Sequence, residues 1–232
     1  MVDHMQVGFR RMVDHMQVGS STMNGGSHAS WIFDDGWWIT CRLESSIDEN
    51  SGETYIRWGM TSCPEESYLV YDGYAAGKHY NMGGSGANLL CLPKNPEWKE
   101  YTEGNSSTWT GKLFGVEYEI GENKPYSKTF LNQDMPCAVC ESKRSTVLMV
   151  PGKVTCHEGW HKEFSGYLMS QTSRNDRSPT EYICADEQLE SVPGGDADRN
   201  EAVLYPVEAV CGSLKCPPYV NGRELTCVVC SK

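Results

Sequence analysis

The sequence lacks any apolar run near the roughly 20 residues that a membrane-spanning helix needs. Its apolar residues come in short runs interrupted by Gly, Ser, Asn and Pro, so no membrane insertion is expected. Positive charge is also scarce, because 20 Lys and Arg stand against 31 Asp and Glu, which gives a formal net charge of −11. Such a field repels phosphate backbones. Nucleic acid is therefore not expected as a partner.

Helical periodicity and the common catalytic motifs are missing as well. No stretch of a dozen residues shows the 3.6-residue apolar period of an amphipathic helix, and there is no G-x-S-x-G motif, phosphate loop or dinucleotide fingerprint. The apolar runs are short, rich in aromatic and β-branched residues and bounded by Gly, Pro, Asn and Asp, which is typical of strands. We predict a mainly β fold with some α+β character, and no enzymatic activity.

Cysteine, by contrast, is abundant, with 11 in 232 residues. The pairs Cys137-x-x-Cys140 and Cys227-x-x-Cys230 are too far apart for a zinc ribbon, and no βαβ pattern surrounds them as in a redox site. A disulfide framework, and hence a secreted, extracellular protein, is the better prediction. No basic stretch followed by an apolar run is visible at the N-terminus, so this prediction depends on the cysteines.

The chain also contains an internal repeat. At a shift of 93 residues the spacing of two framework cysteines, 28 residues, recurs, and at a shift of 90 Cys137-Ala-Val-Cys140 meets Cys227-Val-Val-Cys230. We interpret this as a tandem duplication, 55–143 and 144–232, in one compact pseudo-symmetric body. The residues that coincide at a shift of 93 are Gly59, Cys63, Glu65, Gly73, Tyr74, Ser85 and Cys91 with Gly152, Cys156, Glu158, Gly166, Tyr167, Ser178 and Cys184.

Two segments precede the repeats. Residues 1–29 contain MVDHMQVG twice and continue as a polar, Gly- and Ser-rich stretch, which predicts a tail or an expression scar. Residues 30–54 form an aromatic lead-in with Trp31, Trp37 and Trp38. Such rings either pack on the main body or form a partner surface, so this lead-in is a candidate oligomerisation segment.

The cysteines divide into a repeated framework and three others. Four positions per copy allow three connectivities in each copy, and the sequence does not choose among them. Cys211 and Cys216 are expected to pair with each other, which leaves Cys41 for an interchain bond and predicts a homo-oligomer such as a disulfide-linked dimer. The ten cysteines assigned to disulfides are Cys63, Cys91, Cys137, Cys140, Cys156, Cys184, Cys211, Cys216, Cys227 and Cys230.

One segment matches a metalloprotease pattern. His157-Glu158-Gly159-Trp160-His161 satisfies H-E-x-x-H, in which two histidines one helical turn apart bind zinc, and Glu181 is a candidate third ligand. The motif requires a helix, and a mid-helix glycine costs about 1 kcal/mol relative to Ala. The first copy has neither histidine at the matching positions. A zinc hydrolase is therefore retained only as the second alternative.

An acidic loop of the second copy is a candidate calcium site. Asp196, Asp198 and Asn200 place oxygen-bearing side chains at alternate positions, as at the start of a calcium-binding loop. The loop is not an EF-hand, because its sixth and twelfth positions are Glu201 and Val207. The alternative is a solvated acidic turn.

The loops between the framework cysteines are candidate glycan-binding segments. They combine aromatic rings with planar hydrogen-bonding groups, a mixture that suits the hydroxyls and apolar C–H faces of sugars. The alternative is an irregular loop whose polar groups cap its own backbone. The candidate residues are His79, Tyr80 and Asn88 in the first copy and Arg174, Asp176 and Glu181 in the second.

These residues belong to a longer pattern that resembles a known family. Residues 55–232 resemble the C-terminal non-collagenous domain of the short-chain collagen-like proteins of sponges, cnidarians and molluscs. The relatives often carry a Gly-X-Y stretch before this domain, and none is present here. The runs that carry the resemblance include Tyr55-Ile-Arg-Trp-Gly59, Tyr71-Asp-Gly-Tyr74, Gly86-Ala-Asn-Leu-Leu-Cys-Leu-Pro93, Phe164-Ser-Gly-Tyr-Leu-Met-Ser170 and Cys211-Gly-Ser-Leu-Lys-Cys-Pro-Pro-Tyr219.

The domain is also similar to that of a galactose-binding, calcium-dependent sea-anemone lectin. The resemblance implies secretion and glycan binding but assigns no ligand residue. The resulting hypothesis is a secreted, calcium-dependent lectin-like protein that binds galactose-type glycans or glycoproteins. The first alternative is an extracellular matrix, adhesive or biomineral-associated structural protein.

Overall fold

The computed structural model describes residues 52–104, 109–121 and 125–232, together with the backbone strands at 18–23, 26–32 and 38–42. The chain divides into two compact units, Met1–Glu49 and Asn50–Lys232. In the first unit an antiparallel sheet has the order β1 (Val18–Met23), β2 (Gly26–Ile32), β3 (Trp38–Arg42). The side chains of Trp31, Trp38 and Cys41 lie outside the described residues, as do Phe33 and Trp37.

The described residues of the second unit form eleven strands and five disulfides, so the prediction of a mainly β, disulfide-rich protein is confirmed. No helix occurs among the residues that the structure describes. The strands are β4 (Thr54–Trp58), β5 (Tyr68–Gly77), β6 (Leu90–Pro93), β7 (Phe114–Ile120), β8 (Phe130–Asp134), β9 (Pro136–Glu141), β10 (Val147–Pro151), β11 (His161–Ser170), β12 (Ile183–Asp186), β13 (Ala202–Pro206) and β14 (Thr226–Ser231).

Seven of these strands form a closed ring of paired neighbours. The order is β11-β12-β4-β9-β5-β7-β13, and β13 pairs with β11 to close it. Two pairings are parallel, β12 with β4 and β13 with β7, and both join the first half of the unit to the second. The remaining strands extend the sheet sideways: β6 pairs with β5, β8 with β7, and β14 with β11, with β10 beyond β14.

Strands at corresponding positions of the two halves pair in the same way. Tyr74 lies opposite Leu92 in the β5–β6 hairpin, and Tyr167 lies opposite Ala185 in the β11–β12 hairpin, 93 residues later in each case. The register of β5 with β9 shifts at Leu69/Tyr71, and that of β11 with β14 shifts at Lys162/Phe164. The tandem duplication itself stays an interpretation of the sequence.

The disulfides settle the connectivity that the sequence left open. Each half pairs its first framework cysteine with its fourth and its second with its third. The pairs are Cys63–Cys140 and Cys91–Cys137 in the first half, Cys156–Cys230 and Cys184–Cys227 in the second, and Cys211–Cys216 in a short loop. The expected interchain role of Cys41 lies outside the described side chains.

Two groups of buried side chains hold the strands together. A first core fills the ring, and its largest fully buried side chain is Tyr118, whose hydroxyl donates to the Glu190 carbonyl at 2.9 Å. A second core lies between β4, β9, β11 and β14. The first core includes Trp58, Ala75, Leu89, Cys91, Val116, Tyr118, Met135, Met169, Ile183, Ala185 and Leu204, with Tyr167 packed against it, and the second includes Tyr55, Ala138, Phe164, Leu168, Cys184 and Val229.

Candidate functional site

The acidic loop predicted from the sequence lies against the β7–β8 hairpin. Glu117 of β7 and Asp134 of β8 are cross-strand partners, so their side chains emerge on the same face of the sheet. The loop is joined to both strands, because the Asp134 amide donates to the Gly195 carbonyl at 2.8 Å and the Arg199 amide donates to Glu117 Oε1 at 3.2 Å. Two carboxylates that the sequence analysis did not select thus border the predicted calcium loop.

The close approach of loop and hairpin requires a glycine at position 195. A Cβ built on Gly195 would lie 2.5 Å from Asp134 Oδ2 and 2.6 Å from its Cβ. Any side chain would therefore displace the loop from Asp134. Gly195 fixes the distance between the loop and the hairpin carboxylates.

Glu117 is buried with an unsatisfied oxygen. The residue is 2% exposed, and Oε2 has no hydrogen-bond partner among the described residues. Burial raises the pKa of Glu117, the amides of Asn200 and Arg199 act in the opposite direction, and the charges of Asp134 and Asp198 raise it further. A buried carboxylate oxygen without a partner is costly, so a cation at this position would relieve both the burial and the repulsion.

The neighbouring carboxyl groups are perturbed in the same direction. Burial raises the pKa of Asp134, and the charges of Glu201 and Asp196 raise it further, while Arg199 lowers it. Burial also raises the pKa of Glu119, with added repulsion from Glu117 and Asp198. The cluster therefore holds more negative charge than the nearby Arg199 and Arg177 neutralise.

The three predicted calcium ligands are exposed on the loop. Asn200 donates its side-chain amide to Asp198 Oδ1 and adopts a φ of +52°. Asp196 lies close enough to Asp134 to influence its pKa. Within the described residues no group of three or more His, Cys, Asp or Glu side chains converges in a metal-holding arrangement. Calcium binding would therefore have to draw the loop and hairpin oxygens together.

A stack of aromatic and cationic side chains adjoins this loop. The guanidinium of Arg177 lies 4.1 Å from the centroid of the Tyr80 ring, and the His79 ring stacks on Tyr80 at 4.7 Å. The Tyr80 amide donates to the Glu201 carbonyl at 2.8 Å, and the Tyr80 carbonyl accepts from the Ser178 amide at 2.6 Å. Tyr80 thus connects both candidate glycan loops to the acidic loop.

Arg177 is a site residue that the sequence analysis did not select. Its Nε is buried and has no hydrogen-bond partner in the described part of the chain, and its charge acts on Glu119 and Tyr205. The neighbouring Arg174 is exposed and forms two hydrogen bonds with Asp176, at 2.9 and 3.0 Å. No periodicity in the loop distinguishes the two arginines, so only the folded geometry separates them.

The remaining two predicted glycan residues lie elsewhere. Asn88 and Glu181 line a cleft of about 430 Å³ that also receives Trp58 and Tyr182. Glu181 Oε1 accepts a hydrogen bond from the Leu89 amide. The six candidate residues therefore divide into a group at the Tyr80 stack and a pair at this cleft, rather than forming one site.

The H-E-x-x-H segment is not helical. Glu158 and Gly159 form a turn, with Gly159 at a φ of +78°, and His161 begins β11. The His161 Nε2 lies 3.4 Å from a carboxylate oxygen of Glu66. The one-turn helical spacing that zinc binding by this motif requires is absent from the segment.

Comparison of the chain with protein-family models and with curated proteins gives no match. Among the described residues no helix is long and apolar enough to cross a membrane.

Proposed function

We propose that this chain is a secreted, calcium-dependent, lectin-like protein without enzymatic activity. Its ligands would be galactose-type glycans or glycoproteins, in keeping with the resemblance to the collagen-like family and the sea-anemone lectin. The five disulfides support an extracellular location. The observation that most supports the function is the buried, unpartnered Glu117 oxygen beside the acidic loop.

Calcium suits this cluster better than a softer metal. Calcium takes six to eight oxygen ligands from carboxylates, carbonyls and water in flexible geometry. Glu117, Asp134 and Asp198 supply carboxylates, and the exposed loop backbone supplies carbonyl oxygens. Occupation would offset the burial and the repulsion that raise the pKa of Glu117 and Asp134 and would order the loop.

The sugar-binding part of the proposal is the stack formed by Tyr80 and Arg177. The Arg177 guanidinium, whose Nε has no hydrogen-bond partner in the described part of the chain, would provide planar donors for hydroxyls, and the rings beside it would provide an apolar surface. The hydrogen bond from the Tyr80 amide to the Glu201 carbonyl links this stack to the calcium loop. Ordering of the loop by calcium would therefore fix the position of Tyr80.

Thermal unfolding with and without calcium tests the ion. Millimolar calcium should raise the melting temperature by mass action, and Asp198→Ala or Glu117→Gln should remove the rise. Glu208→Gln is the matched control, because Glu208 is an exposed glutamate of the second half. A melting temperature indifferent to calcium in the unmodified protein would contradict the ion's role.

A glycan array with and without chelator tests the function itself. We expect binding of galactose-type glycans only in calcium, and a loss of about tenfold in affinity for Arg177→Gln, which corresponds to about 1.4 kcal/mol. Arg174→Gln is the control, because Arg174 is already paired with Asp176. Calcium binding without any glycan binding would instead favour the matrix, adhesive or mineral-associated alternative.

A further inference from the structure

The second half buries both faces of its β11–β12 hairpin, whereas the first half leaves one face of the equivalent β5–β6 hairpin exposed. In the second half, Tyr167, Ile183 and Ala185 of the β11–β12 hairpin face the first core. The residues 93 positions earlier, Tyr74, Leu90 and Leu92 of the β5–β6 hairpin, are exposed, at 44%, 42% and 38%. We call Tyr74, Leu90 and Leu92 the outer hairpin face.

The β11–β12 hairpin of the second half covers a surface on the first half. The equivalent surface on the second half is left uncovered. Leu89 of the first half is buried in the first core, whereas its counterpart Tyr182 is 61% exposed. Tyr182, Val147 and Met149 line the cleft of about 430 Å³, which we call the open cleft. The cleft is also lined by Thr54, Ile56 and Leu89 of the first half, whose counterparts 93 positions later are Val147, Met149 and Tyr182.

The strand edges show the same asymmetry. β12 of the second half pairs in parallel with β4 of the first half through Ala185 and Trp58. The counterparts of these strands, β6 and β10, each pair with one neighbour only in the described part of the chain. The edges of β12 and β4 are therefore paired within the chain, whereas the outer edges of β6 and β10 remain unpaired in the described part of it.

The two halves thus contact each other through two different surfaces. One further copy of each surface remains unused, the outer hairpin face and the open cleft. We propose that a second copy of this chain occupies them, with the outer hairpin face of one chain against the open cleft of the next. A second copy is the occupant that fits, because the same pair of surfaces already buries Ile183 and Ala185 within one chain. Such a heterologous interface continues into a closed ring or an open filament.

The net charge of −11 opposes this association, so the association should strengthen as salt screens the repulsion. The interface is apolar on both sides, with Leu90 and Leu92 facing Val147 and Met149. Higher ionic strength should therefore raise, and not lower, the fraction of assembled protein.

Sedimentation of the full chain carrying Cys41→Ser tests the proposal without any contribution from an interchain disulfide. We expect a concentration-dependent mass of at least twice that of one chain. Leu92→Glu at the outer hairpin face and Tyr182→Glu at the open cleft should each give a monomer, with unchanged circular dichroism because both side chains are exposed. Val210→Glu, at another exposed apolar residue, should assemble like the parent.

Mixing the two defective variants distinguishes this interface from a symmetric one. The Leu92→Glu protein keeps an intact open cleft and the Tyr182→Glu protein an intact outer hairpin face, so the mixture should form dimers and stop there. A parent protein that stays monomeric at every concentration and ionic strength would overturn the proposal. So would a mixture that remains monomeric while the parent assembles.

Discussion

The carboxylate of Glu163 accepts a hydrogen bond from the hydroxyl of Tyr55 at 2.9 Å, across 108 positions of the chain. Ser67 and Ser231 donate to the same carboxylate, so a fully buried glutamate joins β4, β11 and β14. Burial alone would raise the pKa of Glu163, but donation from Ser231, Ser67 and Tyr55 lowers it overall. The ionised form is therefore part of the folded structure.

Replacement of this carboxylate should destabilise the protein in a pH-dependent way. A lowered folded pKa contributes stability above the ordinary carboxyl pKa, and that stability is lost as pH falls through the folded value. Glu163→Gln should lower the free energy of unfolding by about 1–3 kcal/mol at neutral pH, and the difference from the parent should shrink in acid. Denaturant titrations at several pH values measure this, and Glu158→Gln, at an exposed position, is the control.

Stabilisation of the fold by calcium should decrease as the carboxylates of the acidic cluster take up protons. The pKa values of Glu117 and Asp134 are raised, so these groups take up protons at a higher pH than ordinary carboxyls as the solution is acidified. Protons and calcium compete for the same oxygens. The calcium-induced rise in melting temperature should be largest near neutral pH and disappear as pH falls. An undiminished rise in acid would place the ion elsewhere.

The disulfides should contribute differently to the free energy of unfolding, according to the number of residues in the loop that each one closes. Cys63–Cys140 spans 77 positions and Cys211–Cys216 only 5. Loop-closure entropy predicts losses of about 4 kcal/mol and about 2 kcal/mol when each pair is replaced by serines. Thermal and denaturant unfolding of the two double variants tests this order. Equal losses would mean that strain or residual structure outweighs chain entropy.

The H-E-x-x-H segment should be dispensable. His157 lies in an exposed turn, so His157→Ala should leave the melting temperature and any glycan binding unchanged, and elemental analysis of the purified protein should find no stoichiometric zinc. One zinc per chain that is lost in this variant would restore the hydrolase hypothesis.

The strands and the cysteines that form disulfides were predictable from local signals. Short apolar runs bounded by turn residues predicted the mainly β fold, and the repeated spacing identified the framework cysteines. The predicted pairing of Cys211 with Cys216 is confirmed, whereas the pairing of the framework cysteines was not predictable, because it depends on which strands become neighbours. Glu117 was overlooked for a similar reason, since its position in β7 acquires meaning only when β8 and the loop at 195–201 meet it.

The closed ring of strands has a consequence for how this protein is made. β4 obtains a neighbour from β12 and β7 from β13, so the first half of the unit has incomplete sheets until residues near 206 have been synthesised. Such non-local pairing delays folding, because the chain loses the conformational entropy of a long segment before the contacts that this segment makes can form. The first half should therefore be incompletely folded when it leaves the ribosome. Its cysteines should be able to form non-native disulfides until the second half has been synthesised.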